Sequence, residues 1–108
     1  MPKETGKLEQ EMKLHPHQYW IVKPAASSQG KGIYITNEFA EIKENLERAK
    51  AMDPSSTSNT IVSHYISNPL LIDSLKFDLR IYVAVTSIEP LRVYVYEDGL
   101  TRFATTKY

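Results

Sequence analysis

The segment Lys76-Phe-Asp-Leu-Arg-Ile-Tyr-Val-Ala-Val-Thr-Ser-Ile88 decides the fold of this chain. It is rich in β-branched and aromatic residues, which favour an extended strand. Glu89-Pro90 follows as a turn, and Leu91–Glu97 has the composition of a second strand. Glu97-Asp98-Gly99 predicts another turn, after which Leu100–Thr105 begins a third strand. The last third of the sequence therefore predicts an antiparallel meander.

Side chains on the first of these strands divide into a charged face and an apolar face. Successive residues of a strand point to opposite sides, so Lys76, Asp78 and Arg80 share one face. The other face is predicted to be a core face, formed by Phe77, Leu79, Ile81, Val83 and Val85. Opposite charges about 7 Å apart on one strand suit a polar ligand with several charged groups. A solvated outer face with weak ion pairs is the plainer alternative, and spacing alone leaves it open.

Strands and a short helix are predicted before the meander. The predicted strands are Tyr19–Lys23, which Pro24 stops, Ile33–Thr36 and Thr60–Ile66. Residues 1–18 form a polar segment in which Lys7–Leu14 is predicted to be a short helix. Strands, helices and a meander in this order indicate an α+β fold.

A second helix is predicted from Asn37, a good N-cap, to about Met52. Its apolar face is formed by Phe39, Ile42, Leu46 and Ala49, which recur at helical spacing. On the exposed side, Glu44 and Arg48 are spaced to form an ion pair one turn apart.

Composition and charge exclude several classes of protein. The 108 residues include 13 basic and 13 acidic side chains, without the basic excess typical of nucleic-acid-binding proteins. The absence of cysteine excludes disulfide scaffolds and thiol catalysis. His15, His17 and His64 do not form a convincing metal set, so we predict no metal ligand in this chain. The N-terminus lacks a signal peptide and no apolar run approaches the ~20 residues of a membrane helix, so we expect a soluble cytoplasmic protein.

Lys23 and the small-residue loop after it are candidates for binding phosphate. Lys23 ends an apolar strand and precedes Ala25-Ala-Ser-Ser-Gln-Gly30-Lys31-Gly32. Glycines let backbone N–H groups approach a phosphate, hydroxyl groups donate, and Lys31 adds charge. The loop has neither the spacing of a Walker A loop nor that of a Rossmann fingerprint. An ordinary turn beside a strand-end lysine stays open as the alternative.

Two further segments carry candidate binding residues. Ser63-His64-Tyr65-Ile66 ends a predicted strand, where backbone groups can hydrogen-bond a purine edge while Ile66 packs on its face. Arg102 lies on the opposite side of its predicted strand from Thr101 and Phe103. An ordinary strand end and an exposed arginine are the alternatives, and the sequence pattern does not separate them from a site.

Five ordered segments form a combination that is specific. They are Trp20-Ile-Val-Lys-Pro24, Ala26-Ser-Ser-Gln-Gly-Lys-Gly-Ile33, Asn68-Pro-Leu-Leu-Ile72, Lys76-Phe-Asp-Leu-Arg80 and Gly99-Leu-Thr-Arg-Phe-Ala104. In order and spacing they resemble the motifs of tubulin tyrosine ligase-like proteins, over about residues 19–108. The Pro-Ala-Ala-Ser-Ser loop and the Arg-Phe-Ala-Thr strand look closest to the polyglutamylase branch. The resemblance implies a fragment of an ATP-grasp fold, in which ATP is held between two α+β subdomains.

The resemblance also implies a role for each candidate that binds the cofactor. Lys23 would contact the phosphates of ATP, and the loop Gly30–Gly32 would close over them. Ser63–Ile66 would line the adenine pocket, mainly through its backbone. Lys76 and Asp78 would reach the adenine–ribose side of the nucleotide.

Arg80 and Arg102 are the implied catalytic residues, which would meet the transferred phosphoryl group or the acidic substrate. The implied reaction is ligation, in which a carboxylate is phosphorylated by ATP and an amine attacks the acyl-phosphate. The acceptor would be a glutamate on a tubulin C-terminal tail, and the amine would be that of free glutamate. The expected partners are therefore tubulin tails and microtubules, with a location on the cytoskeleton or at a cilium or basal body.

The sequence departs from the family pattern in two respects. The acidic residues and the asparagine that bind magnesium in the family lie well downstream of the Arg-Phe-Ala strand, and the N-terminal domain is missing. We therefore expect Mg²⁺ in a full-length parent, with its ligands absent from this chain, and no ligase activity in the chain alone. A non-catalytic module that binds a nucleotide or a tubulin tail is the alternative. A different ATP-grasp ligase that acts on a small molecule is a third possibility.

Overall fold

The computed structural model describes residues 2–25, 30–54 and 59–108. Its contacts divide the chain into two units, Met1–Ser67 and Asn68–Tyr108. In chain order the elements are α1 (Pro2–Leu14), β1 (Trp20–Pro24), β2 (Tyr34–Thr36), α2 (Phe39–Met52), β3 (Thr60–His64), β4 (Leu71–Ile72), β5 (Leu75–Ile88) and β6 (Leu91–Lys107). Helices and antiparallel strands occur together, so the predicted α+β fold is confirmed.

The first unit contains a three-stranded antiparallel sheet in the order β2-β1-β3. Trp20 in the central strand lies opposite Thr36 on one side and His64 on the other. The prediction that β1 ends at Lys23 is wrong by one residue. Pro24 is the last residue of the strand and pairs with Thr60. Proline lacks an N–H donor, so it is tolerated where a strand ends and the ladder no longer requires one.

The core of the first unit lies between one face of this sheet and the two helices. Trp20 and Val22 alternate along β1 and are buried, with Met12 of α1 and Ile42 of α2 packed in the same cluster. Ile42 has 0% exposed surface. Fully burying an aliphatic side chain of this size contributes about 1.5–3 kcal/mol, so these contacts hold both helices on the sheet.

Helix α2 follows its predicted apolar face but begins one residue later than predicted. Ile42 is buried, and Phe39 and Leu46 pack against the core, whereas Ala49 is exposed. The prediction of Asn37 as N-cap is wrong: the N-cap is Glu38, whose N–H donates to the Thr36 hydroxyl at 3.1 Å. The buried hydroxyl at the end of β2 supplies a local acceptor, and the chain enters the helix after it. The predicted i,i+4 pair is present, since Arg48 Nη2 lies 2.6 Å from Glu44 Oε1.

The second unit is a three-stranded antiparallel sheet in the order β4-β5-β6, and its strands differ from the predicted meander. The turn at Glu89-Pro90 is confirmed, because β5 ends at Ile88 and β6 begins at Leu91. The predicted turn at Glu97–Gly99 is wrong, because β6 runs through it. The extra residues form a bulge, since Ile81 pairs with Gly99 whereas Val83 pairs with Val95.

The third strand of this sheet is β4, a short strand that the sequence analysis missed. Ile72 pairs with Leu75 across a turn of Asp73 and Ser74, which both have positive φ, at 53° and 65°. Positive φ at both central residues is the geometry of the tight hairpin turn that twisted strands favour. Asp-Ser is a weaker signal for this turn than Asn-Gly, so the hairpin is hard to read from sequence.

The apolar face of β5 is not a buried core face in this structure, contrary to the prediction. Leu79, Ile81, Val83 and Val85 are between 54% and 61% exposed. Beyond the short strand β4, the long strands β5 and β6 form a two-stranded ribbon, and such a ribbon has no second layer within its own unit. The predicted alternation of charged and apolar side chains along β5 follows from its being a strand, but alternation does not specify what covers each face.

Neither helix of the described ranges, α1 or α2, is long and apolar enough to cross a membrane.

Replacing Ile42 by alanine tests the core of the first unit. Ile42→Ala should lower the free energy of unfolding by about 2–4 kcal/mol, because it removes a fully buried side chain. Urea unfolding can be followed by the fluorescence of Trp20, the single tryptophan, which belongs to the same cluster. Leu14→Ala is the control, expected within about 0.5 kcal/mol of the parent because Leu14 is 70% exposed. Equal effects of the two changes would contradict this core.

Candidate functional site

The second unit brings two of the predicted site residues into direct contact. Asp78 of β5 lies opposite Arg102 of β6 in the strand register. Arg102 Nε donates to Asp78 Oδ1 at 2.9 Å, and Arg102 Nη2 donates to Asp78 Oδ2 at 2.6 Å. Two parallel hydrogen bonds of this kind fix the planar guanidinium against the carboxylate. This pair, in which both carboxylate oxygens bind one guanidinium, is called the Asp78–Arg102 fork below.

The other predicted residues of this face lie next to the fork. Arg80 Nε is 3.9 Å from Asp78 Oδ1, so a second guanidinium group lies near the carboxylate. Lys76 Nζ lies 5.5 Å from the centre of the Tyr108 ring, within the range of a cation–π contact. A groove of about 390 Å³ is lined by Lys76, Asp78 and Arg102 together with their neighbours on the two strands. The structure therefore gathers Lys76, Asp78, Arg80 and Arg102 into one charged cluster, which we call the ribbon cluster.

The ribbon cluster has an excess of positive charge. Its three basic side chains and one carboxylate give a local charge of +2, although the whole chain is neutral. The side chains of the Asp78–Arg102 fork are 55% and 53% exposed, so ligands in solution can reach them. The hydrogen bond from Arg102 lowers the pKa of Asp78, with a smaller lowering contribution from the charges of Arg102 and Arg80. The same hydrogen bond raises the pKa of Arg102. An exposed cationic groove of this kind is suited to an anionic group.

The first unit places Lys23 and the glycines at one end of its sheet. Lys23 is exposed and lies on the face of β1 opposite the buried Trp20 and Val22. Gly30 and Gly32 both have positive φ, at 72° and 75°, and Ile33 N–H donates to the Gly30 carbonyl at 3.3 Å. The predicted loop therefore ends in a glycine turn. The predicted phosphate loop also includes residues 26–29, which lie outside the described residues.

The glycine turn lies close to the end of β1. A Cβ atom at Gly32 would lie 3.2 Å from Cγ of Pro24, the residue after Lys23. Lys23 and Gly32 therefore lie at the same end of the sheet. That Gly30, Lys31 and Gly32 contact phosphate stays a prediction.

The segment Ser63–Ile66 presents fewer backbone groups than predicted. Tyr65 N–H donates to the Tyr19 carbonyl at 2.8 Å, and the Tyr65 carbonyl accepts from Gln18 Nε2 at 3.2 Å. Because backbone groups alternate in direction along a strand, those of His64 point to the outer edge of the sheet, where β3 lies. The His64 ring contacts the Trp20 ring edge-on at 4.2 Å between centroids. That this segment lines an adenine pocket stays a prediction.

The predicted site residues fall into two groups, one in each unit. Lys23, Gly30–Gly32 and Ser63–Ile66 belong to the first unit, and the ribbon cluster belongs to the second. In the first unit, Lys23 and Gly32 lie at one end of β1, whereas Ser63–Ile66 lies beside the other end, where His64 pairs with Trp20. In the second unit, Asp78 lies in contact with Arg102 and near Arg80. The prediction that both groups meet on one nucleotide stays a prediction.

Gly99 lies beside the candidate site, in a segment that was wrongly predicted to be a turn. A Cβ atom at this position would lie 2.5 Å from the carbonyl oxygen of Arg80. Only glycine therefore permits the strands to pair this closely beside the catalytic candidate Arg80. A glycine inside a strand pattern indicates a bulge or a close backbone approach, and that signal was available in Glu97-Asp98-Gly99. Tyr108, beneath Lys76, had no comparable signal in the spacing.

No group of three histidine, aspartate or glutamate side chains within residues 2–25, 30–54 and 59–108 is placed to hold a metal ion. No chemical step below is assigned to a metal.

Comparison with known proteins identifies the family. A sequence model of the Tubulin-tyrosine ligase family matches residues 1–108, the whole length of the chain. The chain belongs to the tubulin-tyrosine ligase family. Its α+β architecture is consistent with the predicted fragment of the ATP-grasp fold, and the predicted family resemblance is confirmed.

Relatives within the family carry the name of tubulin polyglutamylases. The human tubulin polyglutamylase TTLL5 is 52% identical over 89 residues, which cover 82% of this chain and 6% of the relative. The human tubulin polyglutamylase TTLL6 is 44% identical over 108 residues, covering all of this chain and 11% of the relative. The probable alpha-tubulin polyglutamylase Ttll1 of Tetrahymena thermophila is 42% identical over 113 residues, covering all of this chain and 27% of the relative. The chain thus spans a small part of the length of these family members.

The lowered pKa of Asp78 can be tested with a variant of its partner. Arg102→Ala should raise the pKa of Asp78 toward the ordinary value, because the hydrogen bond from Arg102 is the largest cause of the lowering. The pKa of Asp78 is lower in the folded protein than in the unfolded chain, so the ion pair stabilises the fold at any pH above the ordinary carboxyl pKa. This stabilisation is lost as the pH falls through the lowered pKa of the folded protein. A ¹³C NMR titration of the Asp78 carboxyl group measures both proteins.

Arg48→Ala is the matched control for this titration, because it also removes an exposed, ion-paired arginine. It should leave the midpoint of Asp78 unchanged. Equal midpoints in the parent and the Arg102→Ala variant would show that the fork does not form in solution.

A pair of glycine substitutions tests the close approach at Gly99. Gly99→Ala should lower the melting temperature, because its Cβ would clash with the Arg80 carbonyl and cost about 1–3 kcal/mol as the backbone shifts. Gly6→Ala is the control, since nothing lies within 4 Å of its added Cβ and alanine favours helix α1. It should raise the melting temperature slightly or leave it unchanged. A Gly99→Ala variant as stable as the Gly6→Ala variant would refute the bulge geometry.

Proposed function

We propose that this chain is part of an ATP-dependent protein–amino-acid ligase that adds glutamate to tubulin tails. The observation that carries the proposal is the ribbon cluster, in which Arg102 and Arg80 lie near the Asp78 carboxylate and Lys76 lines the same exposed groove as Asp78 and Arg102. Membership of the tubulin-tyrosine ligase family and 41–52% identity to tubulin polyglutamylases support the substrate class. Because the chain spans a small part of those relatives, the proposal concerns a longer protein that contains it.

The described residues fit the phosphate groups of a nucleotide. Arginine provides a planar set of N–H donors that matches a phosphate or a carboxylate, and the ribbon cluster contains two such side chains. In the first unit, the ammonium group of Lys23 and the N–H groups of the glycine turn at Gly30–Gly32 are the corresponding donors. The cofactor of the proposal is therefore ATP, with Lys76 on its adenine–ribose side and Ser63–Ile66 at its adenine.

Ligation requires the activation of a carboxylate, which is a poor electrophile while it is ionised. ATP would supply the phosphoryl group: a carboxylate oxygen forms a bond to the γ-phosphorus, and ADP leaves. The amine of free glutamate then attacks the acyl carbon, and inorganic phosphate leaves with the electron pair of the broken C–O bond. A proton is lost from the attacking amine.

Arg80 and Arg102 are the catalytic residues of this proposal. Negative charge collects on the oxygens of the transferred phosphoryl group and of the acidic substrates, and fixed guanidinium groups stabilise it where it develops. Holding the donor and the acceptor side by side in the same groove also removes much of the entropic cost of bringing them together.

The proposed partners are tubulin C-terminal tails and microtubules. Tubulin tails are acidic, and the local charge of +2 on the ribbon cluster is complementary to an acidic segment. A protein that modifies tubulin works at the cytoskeleton, and we propose the cytoplasm, with cilia and basal bodies as candidate locations. No part of the proposal involves nucleic acid or a membrane.

The test is incorporation of radiolabelled glutamate into tubulin by the complete protein that contains this chain, with ATP and Mg²⁺. Lys23→Ala and Arg102→Ala should each lower the rate by about 100-fold or more, because each removes a positively charged hydrogen-bond donor to the phosphate groups of ATP. Lys43→Ala and Arg92→Ala are the controls, since they remove the same charges from α2 and from the far end of β6. Both controls should keep the rate of the parent.

Three outcomes separate the proposal from its alternatives. Full activity in both site variants refutes the assignment of the site. Nucleotide binding without incorporation of glutamate favours a non-catalytic module. Incorporation of glutamate into free amino-acid acceptors but not into tail peptides favours a ligase for small molecules.

A further inference from the structure

Asp78 binds Arg102 with both of its carboxylate oxygens, and this contact differs from the one that the family resemblance implies. In the resemblance, Asp78 reaches the adenine–ribose side of the nucleotide directly. In the structure, the Asp78–Arg102 fork joins the two side chains across the strand pair at 2.9 and 2.6 Å. Arg80 Nε lies 3.9 Å from the same Oδ1 atom. The carboxylate therefore has two guanidinium groups near it, of which Arg102 is the one it binds with both oxygens.

The fork leaves part of the Arg102 guanidinium available. A guanidinium has five N–H donors, and the fork uses one on Nε and one on Nη2. Because the group is planar and rigid, the other donors point away from the carboxylate. Arg102 is 53% exposed, so these donors can meet an anionic group that enters the groove.

We infer that Asp78 is a positioning residue, which acts on the ligand through Arg102 rather than by touching the nucleotide itself. It holds the guanidinium so that its remaining donors meet one anionic group, either the γ-phosphate of ATP or the carboxylate of the acidic substrate. The inference rests on the proposed function of the ribbon cluster and adds which residue contacts the anion, Arg102, and which residue positions it, Asp78.

The physical reason is pre-organisation. A long arginine side chain on an exposed strand samples many rotamers, and ordering it at the moment of binding lowers affinity. An opposing carboxylate on the neighbouring strand orders it beforehand, without neutralising the cluster. Asp78 removes one unit of the positive charge, and the cluster keeps a charge of +2. The groove therefore still attracts an anion.

Ligand-selective affinities test this role in the complete protein. Dissociation constants are measured by calorimetry for ADP, for a non-hydrolysable ATP analogue and for glutamate, in the parent and in the Asp78→Asn variant. ADP shares the adenine and ribose of ATP but lacks the γ-phosphate. A positioning role predicts that the constant for the ATP analogue or for glutamate rises about tenfold, while that for ADP stays within about twofold.

The ligand that responds identifies the anion. Loss of affinity for the analogue alone places Arg102 at the γ-phosphate, and loss for glutamate alone places it at the substrate carboxylate. An equal loss for ADP and the analogue shows direct contact with the shared part of the nucleotide and overturns the inference. Unchanged constants for all three ligands also overturn it.

A double-mutant cycle shows whether Asp78 acts through Arg102. Arg102→Lys keeps the charge but cannot form the fork, so Asp78→Asn should add no more than about twofold in the R102K background. A full, additive loss in that background overturns the inference. Asp78→Ser, which also removes the carboxylate, replaces Asp78→Asn if that variant does not fold, with the same criteria.

These measurements do not depend on ligase activity. A parent protein that binds nucleotide but does not incorporate glutamate into tubulin refutes the proposed function, while the comparison of ADP with the analogue still decides the role of Asp78. A parent protein that binds none of the three ligands overturns both.

Discussion

The pairing register of β5 and β6 is the constraint on which the charged cluster depends. Side chains alternate between the two faces of a sheet, so a slip of one residue would move Arg102 to the face opposite Asp78. In the observed register the two residues lie directly across from each other. Two nitrogens of the Arg102 side chain donate to the two carboxylate oxygens of Asp78. The ion pair is exposed and contributes little to stability by itself. Its importance is geometric, because it fixes where the guanidinium lies.

The regular pairing between β5 and β6 around the charged cluster is short, with a register shift at each end. Register shifts occur between Leu75 and Phe77 and again between Ile81 and Val83. The segment between them, residues 77–81, carries Asp78 and Arg80 in unbroken pairing with β6. Bulges bend a strand and increase its local twist, and they are common beside functional sites because they redirect side chains. The close approach of Gly99 to Arg80 belongs to the second irregularity and depends on the absence of a side chain at that position.

The parts of the fold that follow from local pattern were predictable from the sequence. The apolar face of α2 around Ile42, the long strand β5 and the shared face of its charges all follow from periods of 3.6 and 2. The errors occurred where two local signals compete. Thr36 supplies the acceptor at the start of α2 although Asn37 has the better capping propensity. Glu97–Gly99 is typical of a turn, yet extended residues on both sides keep it within β6.

Contacts between distant residues were the part of the site that sequence could not supply. Alternation placed Asp78 between Lys76 and Arg80 but said nothing about the partner strand, so the pairing with Arg102 required the register. The exposure of Leu79 and Ile81 was likewise unpredictable, because a strand specifies which side chains share a face and not what covers them.

A carboxylate at the centre of an anion-binding cluster needs a physical explanation, since it weakens the attraction for a negatively charged ligand. Basic side chains without an anion would repel one another and turn outward to water, each in many conformations. Asp78 opposes that repulsion and orders the nearest guanidinium, while the remaining positive charge still exceeds the negative charge. The neutral composition of the chain conceals this arrangement, because net charge averages over the whole surface and a binding groove depends on the charges within a few ångströms. Local placement of a few charges, rather than their total, therefore determines what this strand pair can bind.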